Sequence, residues 1–120
     1  MGNVINWFEI PVVDIDRAKG FYSAVLGASF DAMPDMPDVA FFSYDGQGVG
    51  GHLQTGQGTP SDHGPLIYLD APKGVAAAIA EVEGAGGKVL TPSQAIGKFG
   101  YIGAFLDTEG NRVGLHSMTE

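Results

Sequence analysis

The spacing of hydrophobic residues changes from a strand period to a helix period near the start of the chain. In residues 6–13 every second side chain is apolar, which predicts a strand with two different faces. Residues 14–27 place their apolar side chains on one helical face, with Asp14 or Asp16 as the cap and Gly27 as the end. Shorter strands are predicted at about 29–32, 39–44 and 49–54. The first part of the chain therefore predicts a βαβββ series.

The same order of elements recurs in the second part of the chain. Residues 65–71 alternate like a strand and residues 73–87 have a helical spacing. Further strands are predicted at about 87–91, 100–106 and 112–118. A segment rich in Gly, Pro and Ser separates the two series and has the composition of a linker. We predict one domain over residues 1–120, with modules at about 4–55 and 65–118 and a linker at about 56–64.

The final hairpins of the two modules have similar sequences. The stretch DGQGVGGH occupies residues 45–52, and EGNRVGLH occupies residues 109–116. Both run from an acidic residue through Gly, an amide, Val and Gly to a histidine. An internal repeat of this kind indicates a duplicated structural unit, in which the two histidines occupy related places.

Composition and charge limit the classes of partner. The 120 residues include 44% hydrophobic residues, which is enough for one core, and no cysteine, which excludes disulfides. No apolar run reaches the about 18 residues of a membrane span, and the start of the chain is unlike a signal peptide, so we expect a cytoplasmic protein. The net charge of −8 and only six Lys and Arg argue against nucleic acid and anionic membranes. We expect a small-molecule ligand and a second copy of the chain as partners.

Three motifs resemble the vicinal oxygen chelate superfamily, which includes glyoxalase I, extradiol dioxygenases, and the fosfomycin and bleomycin resistance proteins. They are DIDRAKGFYSAVLG after the first strand, GGKVL after the second helix, and FLDTEGNRVGLH near the end. The resemblance covers almost the whole chain. It implies an α+β fold in which two βαβββ modules form an open, cup-shaped eight-stranded sheet with helices outside and a ligand inside. It further implies that the cup is frequently completed in a homodimer.

The resemblance also implies a divalent metal, held by His, Gln or Glu on the first and last strand of each module. The corresponding positions in this sequence are Trp7, Gly50, Leu66 and Gly114. None of these residues supplies a metal ligand. We therefore expect no metal at the family positions and no glyoxalase I activity that depends on it.

Polar residues lie two positions further along the same strands. Glu9, His52 and His116 are predicted to share the face that lines the cup. If they converge, two histidines and a carboxylate suit Fe(II), Mn(II) or Zn(II). The preferred interpretation is a metal-free polar pocket with these three residues as the catalytic set, and a third possibility is a purely structural network. A divalent metal is possible but not favoured, and the cofactor stays unknown.

Aromatic residues are predicted to border the same pocket. Trp7 and Tyr68 would stack on a planar ligand, and Tyr101 would lie near its mouth, although such residues also serve packing alone. Two functions remain open. The preferred one is a glyoxalase-like enzyme of lyase, isomerase or dioxygenase type that acts on a small oxygenated or carbonyl compound, with Glu9 as its base. The alternative is an antibiotic-binding type of protein that sequesters a small molecule without turnover.

Overall fold

The computed structural model describes residues 4–31 and 33–120 and confirms two βαβββ modules. Residues 1–3 and Ala32, the predicted end of the second strand, lie outside the described residues. A short 3₁₀ turn at Gly97–Phe99 precedes the seventh strand. The elements in chain order are β1 (Trp7–Pro11), α1 (Ile15–Leu26), β2 (Phe30–Asp31), β3 (Val39–Phe42), β4 (Gly50–Gln54), β5 (Tyr68–Asp70), α2 (Val75–Val82), β6 (Lys88–Ala95), β7 (Tyr101–Leu106) and β8 (Arg112–Ser117).

The eight strands are divided between two open sheets of four. Sheet A has the strand order β1-β4-β3-β2, and sheet B has the matching order β5-β8-β7-β6. In each sheet the first strand is parallel to the last strand of its module, and the other neighbours are antiparallel. The fold is α+β, as expected. The eight predicted strands form two open four-stranded sheets, and the edge strands β1 and β5 exchange no ladder hydrogen bonds within the described residues.

Local signals define the first helix. The Asp14 side chain accepts a hydrogen bond from the Arg17 backbone N–H at 3.0 Å, which caps the helix start. Gly27 has φ 69°, a left-handed conformation that glycine adopts without strain, and its N–H donates to the Ser23 carbonyl. Both predicted ends of α1 are confirmed. No helix in the described part of the chain is long and apolar enough to cross a membrane.

Helix α1 packs against both sheets. Its Phe21 ring lies 5.3 Å from the Phe105 ring of sheet B, and its Tyr22 ring lies 5.7 Å from the Phe42 ring of sheet A, measured between ring centroids. These rings belong to one continuous core with the inward side chains of both sheets, such as Leu53 and Leu115. The hydrophobic effect therefore covers one face of each sheet with helix. The other faces carry Trp7, Glu9, Phe41 and His52 in sheet A and Tyr68, Asp70, Arg112 and His116 in sheet B; we call them the helix-free faces.

A covered carboxylate ties the last turn of the chain to the start of α1. Glu109 accepts hydrogen bonds from the backbone N–H groups of Val13 and Asp14, both at 2.8 Å, and from Arg17 Nε at 2.7 Å. Its side chain is 0% exposed. Burial by itself raises the pKa of this carboxyl, but the hydrogen bonds from Arg17, Asp14, Thr108 and Val13 outweigh it and lower the pKa to about 2.

A second buried network lies beside the first. Asp107 accepts a hydrogen bond from the Tyr22 hydroxyl at 2.7 Å and from the side chain of Asn111 at 3.0 Å. The same Asn111 amide donates to the Pro11 carbonyl at 2.7 Å, which joins the β7–β8 turn to the end of β1. Burial, followed by the Asp107 charge, raises the pKa of the Tyr22 hydroxyl well above its ordinary value. These contacts hold the two modules in a fixed relation.

Candidate functional site

The strand register places the same pairs of residues side by side in both modules. In each parallel pair of strands an aromatic residue lies beside a glycine, and two positions later an acid lies beside a histidine. The pairs are Trp7–Gly50 and Glu9–His52 in sheet A, and Tyr68–Gly114 and Asp70–His116 in sheet B. The repeated histidines of the two hairpins therefore occupy equivalent positions, as the duplication predicted.

The glycines of the repeat make room for the aromatic rings. A Cβ atom at Gly50 would lie 2.8 Å from the ring of Trp7 and 2.8 Å from the ring of Tyr44. A Cβ atom at Gly114 would lie 2.6 Å from the ring of Tyr68. Real Cβ atoms do not approach so closely, so each ring lies against a bare stretch of backbone. The glycine after the valine of each repeated stretch is therefore required by the aromatic ring that packs against it, in addition to the geometry of the hairpin.

Three side chains of sheet A form a directed set of hydrogen bonds, which we call the Trp7–His52–Glu9 triad. The Trp7 indole N–H donates to His52 Nδ1 at 2.8 Å, and His52 Nε2 lies 3.1 Å from Glu9 Oε1. An indole nitrogen can only donate, so Nδ1 must accept and the ring proton of neutral His52 must sit on Nε2. His52 therefore donates to the Glu9 carboxylate.

The triad is shielded on the histidine side and open on the carboxylate side. The ring centroid of Phe41 lies 5.5 Å from that of His52 and 6.0 Å from that of Trp7, and Tyr44 meets Trp7 edge-on at 5.9 Å. The His52 side chain is 13% exposed and the Glu9 side chain is 42% exposed. The aromatic rings fix the histidine, while a carboxylate oxygen of Glu9 remains accessible to a ligand.

The corresponding residues of sheet B are arranged differently. His116 Nε2 lies 2.7 Å from the Phe99 carbonyl oxygen, which can only accept, so Nε2 carries the proton and Nδ1 is turned away from that bond. Asp70 and Tyr68 line an open cleft of about 520 Å³ together with His116. Asp70, which the sequence did not single out, is therefore the counterpart of Glu9 in the second module. The repeated order aromatic, apolar, acid in WFE and YLD was the available signal.

Glu9, His52 and His116 were predicted to converge, and two of the three do so in the structure. Glu9 and His52 meet, whereas His116 lies on the other sheet with its ring bonded to Phe99. No group of three or more His, Cys, Asp or Glu side chains within residues 4–31 and 33–120 is arranged to hold a metal ion. His52 and His116 stay apart because their strands, β4 and β8, belong to separate sheets. The alternation of apolar and polar residues along a strand does not specify which strands share a sheet.

The residues at the family's metal positions do not fit a divalent ion. The register corrects one assignment, because the residue beside Gly114 is Tyr68 and not Leu66. Trp7, Gly50 and Gly114 offer no side-chain ligand, and two of the four positions are occupied by packed aromatic rings.

The three aromatic residues predicted to border the pocket differ in exposure. Trp7 is 37% exposed and Tyr68 is 51% exposed, so both rings are accessible on the helix-free faces. Tyr101 is instead partly buried against the core. It shares its strand face with Phe105, because side chains on a strand alternate, and that face is covered by helix.

One protein-family model matches the chain, and no curated protein sequence matches it. Residues 5–44 match the model described as bleomycin resistance protein-like N-terminal. This segment runs from just before β1 to just after β3 and contains Trp7 and Glu9 of the triad.

Solved structures show the same arrangement of elements at low sequence identity. A glyoxalase/bleomycin resistance protein from Albidiferax ferrireducens is 19% identical, with a TM-score of 0.73, over 95% of this chain and 98% of that one. A glyoxalase-related enzyme from Fulvimarina pelagi is 17% identical, with a TM-score of 0.69, over 93% and 86%. A fosfomycin resistance protein from Listeria monocytogenes is 14% identical, with a TM-score of 0.70, over 100% and 94%. These similarities show the fold and leave the chemistry to the residues of the site.

Proposed function

We propose that this chain, which has the fold of the vicinal oxygen chelate superfamily, catalyses proton transfer on a small carbonyl compound. The Trp7–His52–Glu9 triad carries the proposal, because it holds an accessible carboxylate in one orientation by a histidine whose protonation pattern is itself fixed. A positioned carboxylate of this kind is suited to general base catalysis. The proposed chemistry uses no metal at the family positions.

Each group of the triad has one role in the proposed step. Glu9 removes a proton from the carbon next to the carbonyl, and the C–H electron pair forms the C=C bond of an enolate. The carbonyl π pair moves onto oxygen, and the proton on the Glu9 carboxyl exchanges with solvent. Return of a solvent-derived proton to the same carbon gives hydrogen exchange, and its return to the other face or to the neighbouring carbon gives isomerisation, without any further reactant. His52 keeps its Nε2–H directed at Glu9 and orients the carboxylate, because its Nδ1 is occupied by Trp7. His52 is therefore a positioning residue.

The direct test is exchange of substrate hydrogens with solvent. Purified protein is incubated in D₂O with a panel of small aldehydes, ketones and oxo acids, and loss of the proton signal next to the carbonyl is followed by NMR. We expect exchange of at least one compound above the rate in buffer. Absence of exchange across the panel, with the protein shown to be folded, would reject the proposed activity.

We also infer that a second copy of the chain completes the pocket. Trp7, Tyr68 and Phe99 expose large aromatic surface on or beside the helix-free faces, and the resemblance implies a homodimer. In such a dimer, sheet B of one copy would supply Tyr68 to the pocket as a stacking surface and His116 Nδ1 as a hydrogen-bond acceptor. Sedimentation velocity should give twice the 12.5 kDa chain mass. A monomer at all concentrations would reject this part of the proposal.

The aromatic cluster of sheet A favours sequestration of a planar molecule as a second candidate function. The rings of Phe41 and Tyr44 each lie about 6 Å from the Trp7 ring, and the three present apolar surface beside Glu9. Binding without turnover needs this surface more than it needs a base.

The two functions respond differently to loss of the indole. If the chain sequesters a planar ligand, Trp7→Ala should weaken binding about tenfold or more, because a buried aromatic residue is a common centre of binding energy. Calorimetric titration with bleomycin as the probe measures this, with Val13→Ala, an exposed apolar side chain in the loop after β1 and outside the cluster, as the control. Binding that is unaffected by Trp7→Ala, or the absence of binding, would reject sequestration at this face.

A further inference from the structure

A small cleft joins the helix-free faces of the two sheets and contains residues outside the triad. It encloses about 280 Å³ between the end of β1, the linker and the start of β8. Glu9 and Arg112 both line it, together with Ser61 and His63 of the linker. Arg112 shares its strand face with His116, because side chains four residues apart on a strand point to the same side. The cleft therefore places one cation in the same space as the proposed base.

The Arg112 guanidinium is incompletely bonded in this cleft. Its Nη2 donates to the Gly64 carbonyl at 3.1 Å, whereas its Nε is buried without a hydrogen-bond partner in the described residues. None of the ion pairs found among the described residues joins Glu9 to Arg112, so the two groups share the cleft without neutralising each other. A buried donor of a charged group is unfavourable when it is unpaired. An anionic ligand in the cleft would offset the charge of this incompletely bonded guanidinium and accept from its Nη groups.

We propose that Arg112 binds the carboxylate of a small oxo acid, whose carbon next to the carbonyl lies at Glu9. A guanidinium has planar donors that match the two oxygens of a carboxylate. The cleft is at the lower end of the usual volume of ligand sites, so it fits a ligand of few atoms. A carboxylate is favoured over a doubly charged phosphate because Glu9 is an acid in the same cleft. The role given to Glu9 rests on the proposed function, whereas anion binding by Arg112 does not.

Binding is tested with pyruvate, 2-oxobutanoate and 2-oxoisovalerate, each compared with its methyl ester. Backbone amide signals of Ser61 and Val113 are followed by NMR during titration of wild type, Arg112→Gln, Arg112→Lys and Lys88→Gln. Lys88 is an exposed cation at the edge of sheet B and serves as the charge control. We expect at least one acid to bind more tightly than its ester, and Arg112→Gln to weaken it about tenfold or more. Lys88→Gln should bind like wild type, and Arg112→Lys should restore part of the affinity.

Several results would overturn the assignment. These are equal binding of acid and ester, unchanged acid binding in folded Arg112→Gln, no binding of any of the three acids, or tighter binding of inorganic phosphate than of the acids. Exchange in D₂O separates this inference from the proposed function. Acid binding that depends on Arg112 without any exchange would reject the activity alone, whereas exchange that is unchanged in Arg112→Gln would reject the role of Arg112 alone.

Discussion

Replacing Glu9 by glutamine is expected to lower the rate of carbonyl-adjacent proton exchange by about 10² to 10⁴-fold, the usual contribution of a general base. The amide keeps the shape of the side chain and an oxygen that accepts from His52 Nε2, so the hydrogen bond of the triad is retained. It lacks the basic oxygen that removes the proton. The rate is measured by loss of the NMR signal in D₂O at saturating substrate.

The same variant should bind substrate nearly as well as wild type. A loss in kcat with little change in substrate affinity identifies a group that acts in the transition state. Glu83→Gln, an exposed glutamate just after α2, is the matched control and should exchange at the wild-type rate. Equal exchange by Glu9→Gln and wild type would contradict the role of Glu9 as base.

Replacing Glu109 by glutamine is expected to lower the free energy of unfolding by about 2 to 3 kcal/mol at neutral pH. The carboxylate accepts from two backbone N–H groups and from Arg17, and an amide cannot accept all of these bonds with the same geometry. The figure lies below that of a fully buried ion pair because Arg17 is half exposed. Urea unfolding followed by Trp7 fluorescence gives the value, with Glu81→Gln on α2 as the control.

The effect of Glu109 should depend on pH with a definite sign. Its pKa is lowered from 4.5 to about 2, so its contribution is fully present above pH 4.5 and is lost as the pH falls toward 2. The unfolding free energies of wild type and Glu109→Gln should therefore converge in this interval and differ most at neutral pH. A constant difference from neutral to acid pH would contradict the assignment of a charged Glu109 to the module junction.

The elements of the fold were predictable because their signals are local. The limits of α1 follow from Asp14, whose side chain caps the helix, and from Gly27, whose positive φ ends it. The contact of Glu9 with His52 was implied by their shared strand face and by the parallel order of the first and last strands of a module. Strand alternation fixes such neighbours within one sheet.

The division of the strands into two separate sheets was not predictable from the alternation of apolar and polar residues. Two modules with the same strand pattern can join as one sheet or pack as two, and the choice depends on tertiary contacts such as those of Glu109 and Tyr22. The irregular start of α2 concealed the register of β5, so Asp70 was not recognised as the counterpart of Glu9. Arg112 lies within the repeated stretch, but the first copy has Gly48 at that position, so its role is indicated only by the cleft that it shares with Glu9.

Glu9 is proposed to transfer a proton without a metal at the family positions. The decisive experiment compares the D₂O exchange rate of untreated protein with that of protein stripped with a chelator, before and after addition of Fe(II), Mn(II) or Zn(II). We expect the same exchange rate in stripped and untreated protein, with no increase on adding any of the ions. Exchange that is lost on stripping and restored by one ion would contradict it and would assign the chemistry to a metal site.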